Sequence, residues 1–218
     1  METTTELGTR DRLLQAARKV FAQAGLQNAT VREICTLAGA NVAAVSYYYG
    51  SKEKLYIAVL EDYLEEAERR HPRDLGITEL STPEERLRAY LRAFLLQTLG
   101  DGDPITERLG KLLTQEFVEP TQYFGVLFER HCRAKHDLLL EIVRKMLPGV
   151  DELGVARCAS SIIGQCVLFD FAKEAMSRMS PDLTLKASNI DSITDFILDF
   201  SLGGMARLRA GQPGQGKA

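Results

Sequence analysis

The first fifty residues divide into three helical segments that are separated by glycines and by a tight turn. Apolar side chains recur every three or four positions over residues 10–24, and Gly25 follows, at the position where a glycine ends many helices. Residues 30–33, TVRE, have the sequence of a capping box, in which the first and last side chains hydrogen-bond each other's backbone. The short helix that follows ends at Gly39, and another begins near Asn41. This succession predicts a helix-turn-helix.

The last short helix, NVAAVSYYY, has two different faces. Val42, Val45 and Tyr49 lie at i, i+3 and i+7, so we expect them to pack inward. The outward side is predicted to carry small residues and then aromatic hydroxyls: Ala43, Ala44, Tyr47 and Tyr48. Small side chains let a helix backbone approach closely, and hydroxyls can reach a phosphate or a base edge. In the preceding helix, the predicted inward residues are Ile34, Leu37 and Ala38.

Two cations flank these short helices. Gly50 and Ser51 are predicted to end one helix and cap the next, which places Lys52 in a first turn. A lysine is unfavourable there if only the helix dipole acts, and favourable if a phosphate binds at the helix N-terminus. The alternative is an ordinary surface lysine. Arg32 is predicted to be exposed, because Val31 and Ile34 take the inner face, and its simplest role is that of a solvated partner of Glu33 or of a neighbour.

Residues 10–57 resemble the DNA-binding domain of the TetR/AcrR family of bacterial repressors. The resemblance rests on AARKVFAQAGLQNATVREICTLAGA, on the small-residue turn, and on VSYYYGSKEKLY, which fits the family pattern aromatic-aromatic-x-(Pro/Gly)-Ser-Lys-Glu-x-Leu. Many members have His and Phe where this chain has Tyr48 and Tyr49. The resemblance implies base contact by Arg32 and phosphate contact by Thr30 and Lys52. With the outward face of the last helix, the predicted DNA-binding residues are Thr30, Arg32, Asn41, Ala43, Ala44, Ser46, Tyr47, Tyr48 and Lys52.

The rest of the chain also has helical periodicity, so the predicted fold class is all-α. A three-helix DNA-binding head is expected to join a larger helical domain for ligand binding and dimerisation. Further helices are predicted over 57–70, 84–99, 105–118, 120–147, 151–179 and 188–209. The predicted domains are 1–56 and 57–210, followed by a Gly/Gln/Pro-rich tail over 211–218 that we expect to be disordered.

Charge and composition place the chain among cytoplasmic proteins. Residues 1–56 carry seven basic and five acidic residues, against 20 and 25 in the remainder, so the basic bias belongs to the predicted head. The sequence has no run of about 18 apolar residues, so it predicts no membrane span. The polar N-terminus METTTELGTRDR does not resemble a secretory signal. The four cysteines are scattered without a C-x-x-C, which favours reduced thiols, most of them packed in the core.

Two C-terminal helices predict a homodimer. GVARCASSIIGQCVLFDFAKEAM is apolar on nearly all sides, as expected of a helix that is buried on two faces. In the family that the head resembles, the last two helices pack against their twofold mates as a four-helix bundle, which implies an isologous interface. The predicted interface residues are Val155, Ala159, Ile163, Val167, Ile193, Phe196, Ile197 and Phe200.

Polar residues within apolar helices predict a small-molecule pocket. The candidate effector-binding residues are Phe94, Leu112, Glu116, Phe117, Phe124, Phe128, Ile162, Gln165 and Phe169. The alternative is that the aromatic residues are core and the polar groups cap or bridge helices. LLTQEFVEPTQYF and IIGQCVLFDFAKEAM resemble the C-terminal domain of the CecR-like branch of the same family. The resemblance implies a repressor that is released from a pseudo-palindromic operator by an unidentified effector.

Two other classes of function remain open. An enzyme is disfavoured because His131 and His136, five residues apart, lie on different sides of a helix, and no nucleophile or phosphate-binding motif occurs. We therefore predict no catalytic residues, no metal and no cofactor. The second alternative is a helical binding or interaction protein whose helix-turn-helix no longer binds DNA. Salt-dependent retention on duplex DNA separates these classes.

Overall fold

In the computed structural model, residues 8–99 and 104–210 are described, and every regular element among them is helical. The elements are α1 (Thr9–Asn28), α2 (Val31–Ala38), α3 (Ala43–Tyr49), α4 (Lys52–Arg70), α5 (Pro83–Leu99), α6 (Pro104–Val118), α7 (Phe124–Leu127), a π-helical turn (Phe128–Cys132), α8 (Arg133–Met146), α9 (Glu152–Phe171), α10 (Lys173–Met179), a 3-10 turn (Pro181–Leu183) and α11 (Ile190–Ala210). The predicted all-α class is confirmed. The chain forms two compact units, Met1–Glu66 with Asp101–His131, and Ala67–Gly100 with Cys132–Ala218.

The first unit contains the predicted head. Helix α1 packs against α2, α3 and α6, and its apolar stripe is buried in the core of this unit. The ring of Phe21 meets the edge of Tyr56 on α4, with 5.2 Å between ring centroids. Arg18 forms ion pairs with Asp62 and, at 3.0 Å, with Glu66. Apolar packing and ion pairs therefore both attach α1 to α4.

The local signals in the head are confirmed. Gly25 has a φ of 69° and kinks α1, and Gly39 has a φ of 61° after α2; L side chains rarely adopt either conformation. In the capping box, the Glu33 amide donates to Thr30 Oγ1 at 3.2 Å, and the Thr30 amide donates to Glu33 Oε2 at 3.0 Å. These contacts fix the start of α2 and both sides of the turn.

Two residues predicted to face inward are exposed instead. Leu37 is 53% exposed, because the buried face of α2 is formed by Ile34, Cys35 and Ala38 and Leu37 lies more than about 90° to one side of it. Val42 is also 53% exposed, since α3 begins at Ala43 and Val42 precedes its first turn. Helical periodicity therefore overestimates how many apolar positions these short helices bury.

The single helix predicted over residues 120–147 is wrong. The chain turns after α6, where both the amide and the hydroxyl of Thr121 donate to Glu116 Oε2, at 3.1 and 2.8 Å. Helix α7 then lasts four residues, and the π-helical turn separates it from α8. Pro120 favours a helix start in the sequence, but the side chain of Glu116 stabilises a turn at this point.

The second unit is built from the end of α4 and from α5, α8, α9, α10 and α11. Helix α5 lies against α8, α9 and α11, and ion pairs join α5 to α11. Arg88 contacts Asp195 and Arg92 contacts Asp191, each at 2.7 Å. The helix predicted over 151–179 is interrupted at Ala172, whose ψ of 13° lies outside the helical range, so α9 and α10 are separate.

The units do not divide at residue 56. Helices α6 and α7 belong to the unit that contains the head, and α4 passes from one unit into the other. The domain boundaries predicted from function remain predictions, because compactness alone does not assign function. The predicted disordered tail, 211–218, lies outside the described residues.

Candidate functional site

Helix α3 is held in the first unit by two side chains. Val45 is 1% exposed, and the Tyr49 hydroxyl donates to the backbone oxygen of Arg10 on α1 at 2.9 Å. The Arg10 guanidinium also lies over the Tyr49 ring, 5.7 Å from its centroid. The anchoring position predicted for Tyr49 is confirmed. Because α3 is only seven residues long, these tertiary contacts must supply most of its stability.

The start of α3 is fixed by Asn41. Its side-chain Oδ1 accepts a hydrogen bond from the Ala43 amide at 2.9 Å, and its backbone oxygen accepts one from the Ala44 amide at 2.9 Å. The Asn41 amide group remains exposed beside the first turn of the helix. A contact from Asn41 to DNA would therefore come from its NH₂ group.

The outward face of α3 contains the predicted recognition residues. Tyr47 is 82% exposed and Tyr48 is 40% exposed, and their rings meet edge to face with 4.8 Å between centroids. Ala43 and Ser46 are exposed, and Ala44 is half-buried. The helix carries no charged side chain. Its face therefore offers methyl groups, one aliphatic hydroxyl and two phenolic hydroxyls.

The residues before α3 contribute polar and basic groups. Arg32 is exposed on the first turn of α2. Thr30 is also exposed, but its hydroxyl already donates to Glu33 Oε2 at 2.8 Å. Hydrogen bonds from Thr30 hold the pKa of Glu33 below its usual range, so this carboxylate stays charged at neutral pH. A phosphate contact by Thr30 would have to share or replace the bond to Glu33.

Lys52 has a role that the sequence reasoning missed. Its ammonium donates to the backbone oxygens of Leu26 at 2.9 Å and Ala29 at 3.0 Å. Both oxygens follow the kink at Gly25, so Lys52 joins the start of α4 to the last turn of α1 and to Ala29, the residue that follows it. Two of its three N–H donors are occupied, and one remains for the predicted phosphate contact.

The candidate effector residues are divided between the two units. Leu112, Glu116, Phe117, Phe124 and Phe128 belong to the first unit, and Phe94, Ile162, Gln165 and Phe169 belong to the second. Within the first unit, Phe124 lies between Phe117 and Phe128, with centroid distances of 5.1 and 5.8 Å. A common pocket for the nine residues remains a prediction.

The two polar candidates have partners within their own units. Glu116 is 3% exposed; it accepts from the Tyr56 hydroxyl at 3.3 Å and caps the turn at Thr121. Burial and the Glu116 carboxylate together raise the pKa of Tyr56, which stays protonated as the donor. Gln165 donates to Ser201 on α11 at 3.3 Å. These contacts are the helix-capping and helix-bridging roles that form the alternative to ligand binding.

The predicted dimer residues differ in how far they are exposed. Val155, Ala159 and Ile197 are at most 2% exposed and belong to the core of the second unit. Phe196 and Phe200 are 70% and 67% exposed on α11. The other three residues are exposed or partly buried: Val167, Ile163 and Ile193. Periodicity found the apolar helices, but it merged their inner and outer faces.

A short helix, a tight turn and a second helix with an outward polar face define a helix-turn-helix protein of the class that regulates transcription. Residues 13–59 match the bacterial regulatory proteins of the tetR family, and residues 83–205 match the C-terminal domain of the HTH-type transcriptional dual regulator CecR. The chain belongs to the TetR family of bacterial transcriptional regulators, with a C-terminal domain of the CecR type.

Individual proteins show the same relationship. The HTH-type transcriptional dual regulator CecR of Shigella flexneri is 29% identical over 174 residues, which are 75% of this chain and 76% of that protein. The HTH-type transcriptional repressor NicS of Pseudomonas putida is 51% identical over 53 residues, 24% of this chain and 25% of that one. The transcriptional regulator FadR of Bacillus subtilis, solved with stearoyl-CoA, shares the fold with a TM-score of 0.64 at 16% identity, covering 89% of this chain and 98% of that chain.

Proposed function

We propose that this protein is a homodimeric, effector-released transcriptional repressor that reads an operator through α3. The observation that carries the proposal is the outward face of α3, where Tyr47 and Tyr48 are exposed while Val45 and Tyr49 fix the helix to the head. An exposed tyrosine pair on a short helix next to a tight turn is suited to a DNA groove.

Specific contacts are assigned to different parts of this surface. Ala43 and Ala44 would pack against thymine methyl groups, and the tyrosine hydroxyls would reach base edges or phosphates. Arg32 is a bidentate donor and would read guanine. Thr30 and the free donor of Lys52 would contact phosphate. Since α3 carries no charge, most of the salt dependence of binding must come from cations outside it.

The homodimer is proposed to form through the outer faces of α9 and α11. On α11, Phe196, Phe200 and Gly203 lie at i, i+4 and i+7 and are exposed. The exposed stripe of α9 has the same helical spacing: Ser160, Gly164, Val167, Leu168 and Phe171. Two apolar stripes on adjacent helices form a surface that can pair with its own copy about a twofold axis. We call these eight residues the α9/α11 face.

The same face accounts for the apolarity of α9. Residues 152–169 are long and apolar enough to span a membrane by length and composition, and 22% of that window is buried within the described structure. Such a helix is also expected when one side packs on α8 and α11 and the other on a second copy. We therefore propose a cytoplasmic protein that presents two heads to a pseudo-palindromic operator.

Release by a small molecule is proposed by analogy with the relatives. NicS is named a repressor and CecR a dual regulator, and FadR was solved with an acyl-CoA. The second unit, which lies mostly within the CecR-type domain, is the proposed site of effector binding. The relatives are regulators of transcription, which supports a protein without catalytic activity.

The test begins with selection of bound duplexes from genomic fragments, followed by fluorescence anisotropy with the selected duplex. Arg32→Ala should weaken binding by about 1–3 kcal/mol per head and relax the base preference at one position of each half-site. Arg69→Ala is the matched control, because it removes the same charge from an exposed site at the end of α4. Equal effects of the two variants would show that Arg32 contributes only net charge. Selection of no duplex would favour the alternative of a helical binding protein that has lost DNA binding.

A further inference from the structure

An arginine is buried in the second unit next to two aromatic rings. Arg73 follows α4 and is 8% exposed. Its guanidinium carbon lies 4.7 Å from the ring centroid of Tyr90 and 5.2 Å from that of Phe94, both on α5. Arginine is rarely buried to this extent without full pairing, because removing a guanidinium from water is unfavourable unless other groups satisfy its charge and its donors.

The partners of Arg73 engage only one edge of the guanidinium. Nη2 donates to Gln97 Oε1 at 2.9 Å, and Nε lies 3.8 Å from Glu68 Oε2, which is too long for a hydrogen bond. Glu68 Oε2 is also shared, with Lys135 Nζ at 2.9 Å and Gln97 Nε2 at 3.1 Å. Glu68 therefore does not neutralise Arg73 alone.

Two nitrogen atoms of Arg73 lack a hydrogen-bond partner. Within residues 8–99 and 104–210, Nε and Nη1 are buried and their N–H groups meet no protein acceptor. Nη1 carries two N–H groups, and Nη2 keeps one after its bond to Gln97. The end of the guanidinium thus presents a fork of donors of the kind that binds two oxygens of one anion.

Among the side chains that the structure describes, the charges around Arg73 leave one positive charge in excess. Arg73 and Lys135 face one carboxylate, and burial would raise the pKa of Glu68, but its hydrogen bonds and the two cations lower it, so it is ionised. Burial raises the pKa of the Cys166 thiol to about 12 and also raises the pKa values of Tyr90 and Cys132. These three groups are neutral at pH 7 and cannot balance the second cation.

We propose that Arg73 binds the carboxylate of a monoanionic organic acid, which is the chemical class of the effector. One excess positive charge matches one carboxylate better than a phosphate dianion. The guanidinium lies against the rings of Tyr90 and Phe94, so an acid that binds it meets apolar surface and has an apolar body. The proposal depends on the proposed function only in calling this ligand an effector.

Isothermal titration calorimetry of the full chain tests the assignment with sodium octanoate and sodium benzoate, beside octanamide and benzamide of the same shape. An acid should bind with at least about a tenfold lower Kd than its amide, since hydrogen bonds between two charged groups are stronger than those between a charged and a neutral group. Arg73→Gln should remove this preference. Arg92→Gln is the control and should preserve the preference for the acid. Arg92 lies on α5, the helix of Tyr90, and is a partly exposed arginine that pairs with Asp191. Inorganic phosphate should bind more weakly than the acid.

Equal affinity for acid and amide would overturn the proposal. An unchanged preference in Arg73→Gln, or no detectable binding of either acid, would also overturn it. Tighter binding of phosphate would contradict the monoanion. If Arg73→Gln does not fold, the Nε–H resonance of Arg73, assigned with Arg73→Lys, provides the result in the natural chain. At equal concentrations it should shift more with octanoate than with octanamide; no shift, or equal shifts, would refute the contact.

Binding to the selected duplex is measured on the same samples without added acid. DNA binding without acid binding would reject this proposal alone. Acid binding without DNA binding would retain the Arg73 site and reject the repressor function.

Discussion

Replacement of Lys52 by methionine tests whether this residue stabilises the head, contacts a DNA phosphate, or does both. Its ammonium donates to the oxygens of Leu26 and Ala29 at 2.9 and 3.0 Å. A hydrogen bond from a charged donor is worth about 1.5–3 kcal/mol when buried. Both bonds of Lys52 are partly buried, and water can replace part of what is lost. We therefore expect Lys52→Met to lower the free energy of unfolding by about 1–2 kcal/mol.

Urea unfolding followed by circular dichroism measures this change. With a slope of about 2 kcal/mol per molar urea, in the middle of the usual range, the midpoint should fall by roughly 0.5–1 M. Lys54→Met is the matched control, because it removes the same charge from an exposed position two residues away on α4. The control should stay within about 0.5 kcal/mol of the natural protein. Equal stability of the Lys52 and Lys54 variants would refute the structural role of Lys52.

DNA binding by the same variants separates the second role. If the third donor of Lys52 contacts phosphate, Lys52→Met should lower the slope of log Kobs against log salt by about one for each head. A loss of stability with an unchanged slope would show that Lys52 only fixes the segment after Gly25. A reduced slope without loss of stability would show that Lys52 contacts phosphate and does not stabilise the head.

Three further changes have defined outcomes. Glu33→Gln should lower the free energy of unfolding of the head at neutral pH. The difference from the natural protein should narrow as the pH falls through the lowered pKa of Glu33, because a carboxylate with a depressed folded pKa contributes stability only while ionised. A difference that does not change with pH in urea titrations would contradict this. Val45→Ala should cost about 1–3 kcal/mol and weaken operator binding, since it removes a 1% exposed anchor of α3; unfolding and anisotropy measure both, and unchanged binding would argue against α3 as the reader. Phe196→Glu with Phe200→Glu should give a folded monomer in analytical ultracentrifugation, because both rings lie on the α9/α11 face; a stable dimer would place the interface elsewhere.

Local signals made much of the head predictable from sequence. The capping box at Thr30, the glycine stops at Gly25 and Gly39, and the Ser51 cap of α4 act over a few residues, and each was found where predicted. The matching motif then identified the family. Short-range hydrogen bonds and backbone preferences are encoded locally, so one sequence is sufficient to predict them.

Contacts between distant segments were the ones missed. Lys52 meets oxygens 26 and 23 residues earlier, and Arg73 meets Gln97 24 residues later. Arg73 lies in a polar stretch that resembles a connection, and nothing in its neighbours predicts burial. On α11 the sequence fails to predict exposure, because the adjacent residues Ile197 and Phe196 are both apolar, yet Ile197 is buried and Phe196 is exposed. Periodicity identifies an apolar helix, but it does not tell which of two apolar faces meets the protein's own core.

The outward face of α3 is the surface proposed to read DNA. Anisotropy of the selected duplex with natural protein and with Tyr48→Ala measures its contribution, and sedimentation verifies that both proteins have the same oligomeric state. Loss of about 1–3 kcal/mol at each of two heads predicts affinity that is at least about 30-fold weaker, with the dimer unchanged. Equal affinity of the two proteins for the selected duplex would contradict the claim.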